Sequence, residues 1–305
     1  MDFECVTDQL AFPEGPVAMA DGSVLAVEMR NGRLSRVLAE GRVEVVAELG
    51  GSPNGAAIGP DGAAYVCNNG GLTFVDAGPG LVVPGHYPES YVGGSIQRVD
   101  LTTGAFSTLY DGCDGRPLRA PNDIVFDADG GFWFTDYGKS DDWTLDRGYL
   151  VYARPDGSAI RRVRGGLLGP NGVGLSPDGA TLYVAETYTG RLWAMEVTGP
   201  GQLGPSPAPW MPGRLIATLP GHQMIDSLAV EAAGRICVAG GPDGGVTVFA
   251  PDGGHEHIRL PGEIVVTNIC FAGADMRDAY ITASGSGRLY RTRWPRPGLK
   301  LSFNA

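Results

Sequence analysis

One short grammar recurs six times along this chain, and it limits what the chain can fold into more than any other feature. In GPNGVGLSPDGATLYVAET (residues 169–187) an Asn heads a short apolar run. An Asp-Gly pair follows seven and eight residues after that Asn, and a second β-rich run comes next. The same offsets lead from Glu14 to Asp21-Gly22, from Asn54 to Asp61-Gly62, from Asn122 to Asp129-Gly130, and from Asn171 to Asp178-Gly179. Asp226 leads to Ala233-Gly234, and Asn268 to Asp275-Met276, a worn copy. Successive heads lie between 40 and 68 residues apart. Four-stranded propeller blades with loop insertions have that length.

The strands themselves are legible. AAYVCN, GFWFTD, TLYVAE, RICVAG and DAYITA are β-branched or aromatic runs opened by Gly or Asp turn signals, and two further strand-like runs follow in most units. No helical periodicity lasts beyond two turns. The pattern predicts an all-β fold over residues 1–305: one six-bladed propeller with four-stranded blades. The leading MDFECVTDQ has no unit of its own, so it is expected to join the last blade and close the ring, which removes exposed sheet edges. Two inserts interrupt the rhythm: the Gly/Pro-rich stretch from Asn69 to Gly94 and the Pro-rich loop from Leu203 to Gly213. Loops of that length are often functional, and both are candidate lids over a pocket.

Composition narrows the partners. A net charge of -11 argues against nucleic acid or an anionic membrane surface and suits the binding of a cation. Gly 48 and Pro 23 beside 43% apolar residues describe a turn-rich folded chain. MDFECVTDQLAF lacks a basic and an apolar leader region, and no run is long enough to span a bilayer, so a cytoplasmic protein is expected. Cys67, Cys237 and Cys270 fall inside strand patterns, where a lone Cys acts as a small buried hydrophobe. The four histidines lack metal-site spacing.

In a propeller, equivalent positions of the innermost strands face a common channel. Here that position carries Glu14, Asn54, Asn122, Asn171, Asp226 and Asn268. A single Asn at a strand start can simply cap a turn, but six polar residues in register suggest a ring. Oxygen donors with two negative charges suit a hard divalent cation such as Ca²⁺. Without one, burying Glu14 beside Asp226 would force a carboxyl to hold a proton. Pro13, Pro53, Pro121 and Pro170 precede four members and fix the approach of the chain. Gly15, Gly55 and Gly172 directly follow three, and are expected to let the backbone approach whatever sits on the axis.

At these residues the chain resembles the SMP-30/gluconolactonase/luciferin-regenerating-enzyme family of six-bladed propellers. FPEGPVAMADGSVLAVE, RAPNDIVFDADGGFWFTDYGK, GPNGVGLSPDGATLYVAET and IDSLAVEAAGRICVAGG carry the resemblance, which extends over essentially the whole chain. It implies one divalent metal at the channel mouth, calcium or, in some members, zinc or manganese. Residue by residue it implies Glu14, Asn122, Asn171 and Asp226 as ligands. One departure stands out: the fifth segment reads MIDSLAVE where sugar-lactonase members usually read PDG. Ser227 leaves the ligand in place and weakens the implication of a sugar substrate.

A metal open on one side would polarise a carbonyl or phosphoryl oxygen, and water attack would then need a base. Only Glu14 and Asp226 in the ring can serve, and Asp226 is the expected base. Asn122 and Asn171 would also orient the substrate oxygen, while Asn54 and Asn268 would contact substrate or complete a water network. Glu28, Asn68, Asp136, Tyr137, Glu186 and Tyr188 follow the inner strand pairs. Tyr137 and Tyr188 are candidate substrate contacts, while Glu28, Asp136 and Glu186 are expected to hydrogen-bond from blade to blade. Trp143, Trp210, Tyr87 and Met224 suggest an apolar rim, which disfavours strongly anionic substrates. The expected reaction is hydrolysis of a small lactone or ester. Phosphotriester hydrolysis on the same site, a non-catalytic NHL-like binding propeller and a metal-free strictosidine-synthase-like enzyme are the alternatives.

Overall fold

The computed structural model of the protein describes residues 1–303. Six antiparallel sheets follow one another around an axis. Blade 1 runs Pro13–Ala18, Val24–Glu28, Arg33–Val37 and Val43–Glu48, innermost strand first. Blade 2 uses Pro53–Ile58, Ala64–Asn68, Ser95–Val99 and Phe106–Tyr110, and blade 3 uses Pro121–Phe126, Phe132–Asp136, Gly148–Ala153 and Ile160–Leu167. Blade 4 uses Pro170–Leu175, Thr181–Glu186, Arg191–Gly199 and Arg214–Thr218, and blade 5 uses Met224–Val230, Ile236–Gly241, Gly245–Phe249 and His255–Arg259. Blade 6 is built from Val266–Ala272, Asp278–Ala283 and Arg288–Arg293, and its outermost strand is Phe3–Thr7. The N-terminal strand thus pairs with the last blade, from Phe3 opposite Thr292 to Thr7 opposite Leu289. This is the six-bladed all-β propeller that the repeat predicts, closed in the way expected.

The second strand of each blade explains the packing. VLAVE, AYVCN and FWFTD are buried at every position, because both faces of a blade meet a neighbouring blade. Apolar clusters accordingly sit between blades. Tyr65, Ile96 and Phe126 with Phe132 and Phe134 join blades 2 and 3. Trp133 with Leu182 and Val184 joins blades 3 and 4, and Val24 and Ala26 with Tyr280 and Leu289 join blades 6 and 1. Cys67 and Cys237 lie in these cores and Cys270 beside them; all five cysteines are free. Each Asp-Gly is a turn between first and second strands: Asp178 Oδ1 accepts the Ala180 N–H at 3.1 Å and Gly179 takes φ 70°.

The glycines after the ring heads serve a different purpose from the one expected. Gly15 has φ 50°, and a Cβ there would lie 2.5 Å from the Asn54 carbonyl oxygen and 2.7 Å from the Ala56 nitrogen. At Gly172 it would lie 2.7 Å from the Asp226 carbonyl oxygen. The close approach is therefore to the next blade's innermost strand, not to a ligand on the axis. Neighbouring innermost strands thus meet backbone to backbone at these glycines.

The two ends of the channel differ. At the end away from the ring, the C-terminal tail lies across the opening: Leu299 donates its N–H to the Val230 carbonyl at 2.8 Å, and Phe303 packs edge-on to Phe126 at 5.8 Å. Among the described residues no helix is long and apolar enough to cross a membrane.

Candidate active site

A local irregularity aims the ring residues. At the start of each innermost strand the pairing slips by one residue, so that in blade 3 Pro121 opposes Asp136 but Ile124 opposes Phe134. Blades 2, 4 and 5 repeat it at Pro53, Pro170 and Ile225. Such bulges re-aim side chains, and here they turn the residue after each Pro toward the channel mouth. In blade 6 Val266 opposes Ala283, so the equivalent residue is Thr267. Asn268 falls one step deeper, level with Asp123 and Ser227. This corrects the sequence register: Asn268 does not line the mouth cavity, and Thr267 stands in its place.

The mouth opens into a cavity of about 610 Å³ lined by Glu14, Asn54, Asn122, Asn171, Asp226 and Thr267 together. Glu14 Oε2 accepts the Gly15 N–H at 2.8 Å and the Asn268 Nδ2 at 2.9 Å. Asp226 Oδ1 accepts the Ser227 N–H at 3.0 Å. Asn171 donates to Thr187 Oγ1 at 3.1 Å and accepts from Ser227 Oγ at 3.2 Å. The hydroxyl of Ser227 therefore steadies a neighbouring ring amide. Asn54 Oδ1 and Asn122 Oδ1 are buried and have no hydrogen-bond partner. Burial pushes the Glu14 carboxyl up to about 7, with the Asn268 and Gly15 donors pulling it back. Asp226 is raised well above the usual carboxylate range, first by burial and then by the charge of Glu14.

Those observations test whether the residues fit a cation. Two carboxylates that burial alone would keep protonated lie in one cavity with two amide oxygens that lack donors. A hard divalent ion would relieve both costs, since oxygen ligands of this kind are what it takes. The donor set fits. No group of three or more His, Cys, Asp or Glu converges among the described residues, so any such centre depends on the amides.

The carboxylates that end the second strands of blades 1, 3 and 4 are structural. Glu28 Oε2 accepts the Ala11 N–H at 2.9 Å, Asp136 Oδ1 the Ala120 N–H at 2.6 Å, and Glu186 Oε2 the Leu168 N–H at 3.0 Å. Asn68 Oδ1 does the same for Ser52 at 3.1 Å. Each ties down the chain entering its own blade's innermost strand, just before the ring residue. They join segments within a blade, not one blade to the next.

Tyr137 and Tyr188 both line the cavity, with ring centroids 5.5 Å apart. Tyr87 and Met224 also line it, whereas Trp143 and Trp210 stand 93% and 83% exposed outside it. The first insert does cover the mouth. Its hairpin, Phe74–Gly78 and Leu81–Pro84, leans on blade 1 through Phe74 against Phe12 at 5.1 Å and is clasped to blade 3 by Tyr87 OH donating to Asp141 Oδ2 at 3.2 Å. The second insert, Leu203 to Gly213, contributes nothing to the cavity; Leu203 and Met211 pack on the core between blades 3 and 4. Sequence reasoning missed Lys139, although it lies in the quoted FWFTDYGK. It is buried, lines the cavity, and donates to the Gly71 carbonyl at 2.8 Å beneath the lid. Burial, then the nearby Arg119 charge, pushes its amine down to about 7.

Comparison with known proteins agrees with this architecture. Residues 12–285 match the model of the SMP-30/Gluconolactonase/LRE-like region. A gluconolactonase of Zymomonas mobilis is 28% identical over 260 residues, 79% of this chain and 63% of that protein. Lactonase drp35 of Staphylococcus saprophyticus is 33% identical over 176 residues, 53% of this chain and 51% of that protein. The chain thus spans less than two thirds of the length of these relatives. A gluconolactonase structure from Xanthomonas campestris superposes with a TM-score of 0.74 at 25% identity, covering 96% of this chain and 89% of that one. With the match running through all six ring positions, the chain belongs to the SMP-30/gluconolactonase/LRE-like family.

Proposed function

We propose that this protein is a metal-dependent hydrolase that opens a small lactone. The observation that carries the reading is the pair of buried, partnerless amide oxygens of Asn54 and Asn122 beside the carboxylates of Glu14 and Asp226. The likeness to a gluconolactonase and a lactonase supports the class of substrate. Glu14, Asn122, Asn171 and Asp226 would hold a divalent ion, Ca²⁺ by the hardness of its oxygen donors, and Asn54, whose Oδ1 is buried without a partner, would add a fifth oxygen. When bound, such an ion would act as a Lewis acid toward the lactone carbonyl.

The chain's own groups supply the rest. Asp226 accepts a proton from the attacking water, a role open to it as a ring carboxylate that lines the cavity. Glu14 is held by two donors and so keeps a fixed orientation. Asn54 and Asn122 align the substrate oxygen, and the lid from Asn69 to Tyr87 excludes bulk water from one side.

Metal analysis of the purified protein, with hydrolysis of a lactone panel before and after chelation, tests this. Loss of activity on chelation and rescue by one divalent ion is the expected outcome. Activity indifferent to metal overturns it. Turnover of a phosphotriester with no lactone turnover would move the same site to the other reaction.

A further inference from the structure

The cavity has two unlike walls. Phe12 and Met29 at blade 1, Leu72 and Val83 of the lid, and Met224 and Ile264 from blades 5 and 6 make one mainly apolar side, to which His86 of the lid and His222 before Met224 add polar groups. Lys139, Ser140, Thr187 and Tyr188 from blades 3 and 4 make the polar one. Met224 and Ile264 are each 41% exposed, so hydrocarbon faces the opening where a ligand enters. The lid is what completes this side, since Phe74 packs at a tilt against Phe12 and Leu72 and Val83 line the cavity with it. No Arg lines the cavity among the described residues.

From this division we infer that the cavity selects a lactone bearing an alkyl or aryl substituent, with the lactone ring at the Glu14–Asp226 side and the substituent laid on the apolar wall. This rests on the lactonase reading for the reacting end alone. A polyhydroxylated sugar lactone would set hydroxyls against Phe12, Leu72, Val83 and Ile264, whose side chains offer no hydrogen-bond partner, and unpaired polar groups are costly. Each methylene of an alkyl chain would instead leave water. At about 30 Å³ for one water, a cavity of about 610 Å³ leaves room for much more than a bare lactone ring.

The test is a matched series: γ-butyrolactone, γ-octalactone, γ-decalactone and glucono-δ-lactone. kcat/KM is expected to rise about fourfold per methylene until the wall is filled, so that γ-decalactone exceeds γ-butyrolactone by more than about tenfold. In Met224→Gln and Ile264→Asn, both at exposed positions, the ratio of γ-decalactone to γ-butyrolactone is expected to fall about fivefold or more. Hexylcyclopentanone, a lactone mimic that cannot be hydrolysed, is expected to raise the Tm where cyclopentanone does not. Preference for glucono-δ-lactone, or an unchanged ratio in both variants, overturns the inference. If no lactone is turned over and hexylcyclopentanone still binds, the hydrolase reading fails and the apolar wall stands. If lactones are turned over and hexylcyclopentanone fails to bind, the reverse holds.

Discussion

The side-chain amide of Asn268 donates to the carboxylate of Glu14 at 2.9 Å, tying the last blade to the first across 254 residues of sequence. The bond closes the ring a second time, inside the channel, while the N-terminal strand closes it at the rim. It also fixes one oxygen of a ring carboxylate. Asn268→Leu leaves that oxygen with one donor fewer, and a destabilisation of about 1–3 kcal/mol is expected. Asn268→Asp sets two carboxyls together, so its Tm should fall further at pH 8 than at pH 5. Urea melts that match the parent protein for both variants would show that the bond carries nothing.

Asp226→Asn keeps the shape and removes the charge. Because burial and the Glu14 charge already disfavour the ionised carboxylate, the fold should survive with an unchanged or higher Tm in the metal-free protein. Lactone turnover should drop about a hundredfold or more, as loss of a general base does. Full retained activity in a steady-state assay would remove Asp226 from the role of base.

Lys139 gives a pH dependence with a definite sign. Its amine is pushed down from 10.5 to about 7 in the fold, so the charged form is disfavoured there. The penalty is full below about pH 7, where both folded and unfolded chains hold the proton. It shrinks as pH rises from 7 toward 10.5, where the unfolded chain also loses the proton. Lys139→Met should therefore gain most in Tm relative to the parent near pH 6 and least near pH 10. A difference that stays constant over that range would mean the amine titrates normally.

Gly15 and Gly22 separate backbone crowding from backbone angle. Both have positive φ, 50° and 84°, but a Cβ at Gly22 meets nothing within 4 Å. Gly22→Ala is expected to cost about 1 kcal/mol for the left-handed conformation alone. Gly15→Ala should cost several times that, because Asn54 and Ala56 of the next blade must move, and with them a ring amide. Denaturant melts of both variants read the difference; equal costs would deny the contact between blades.

Much of this molecule was legible because its signals are local. The alternation of apolar runs with Asp-Gly turns gives blade count and order, and the Pro before Glu14, Asn54, Asn122 and Asn171 marks where the chain turns inward. The site was legible to the same depth: five of the six ring positions follow from spacing. Lys139 escaped notice because it sits outside the repeat, and nothing local distinguishes a lysine that will be buried beneath a lid from one that will be solvated.

The sequence by itself determined six units, each with a polar head, and a spare strand to join them. The tertiary structure alone decided that Thr267, not Asn268, stands at the mouth in blade 6. A bulge is set by pairing with a second strand, and Val266 opposite Ala283 is a property of two segments at once. It alone decided that Gly15 and Gly172 make room for a neighbouring blade, since that distance exists only when the ring has closed. It alone decided which insert is a lid, because Phe74 finds Phe12 across the mouth. Local chemistry writes the blades; contacts between residues distant in sequence arrange the site they surround.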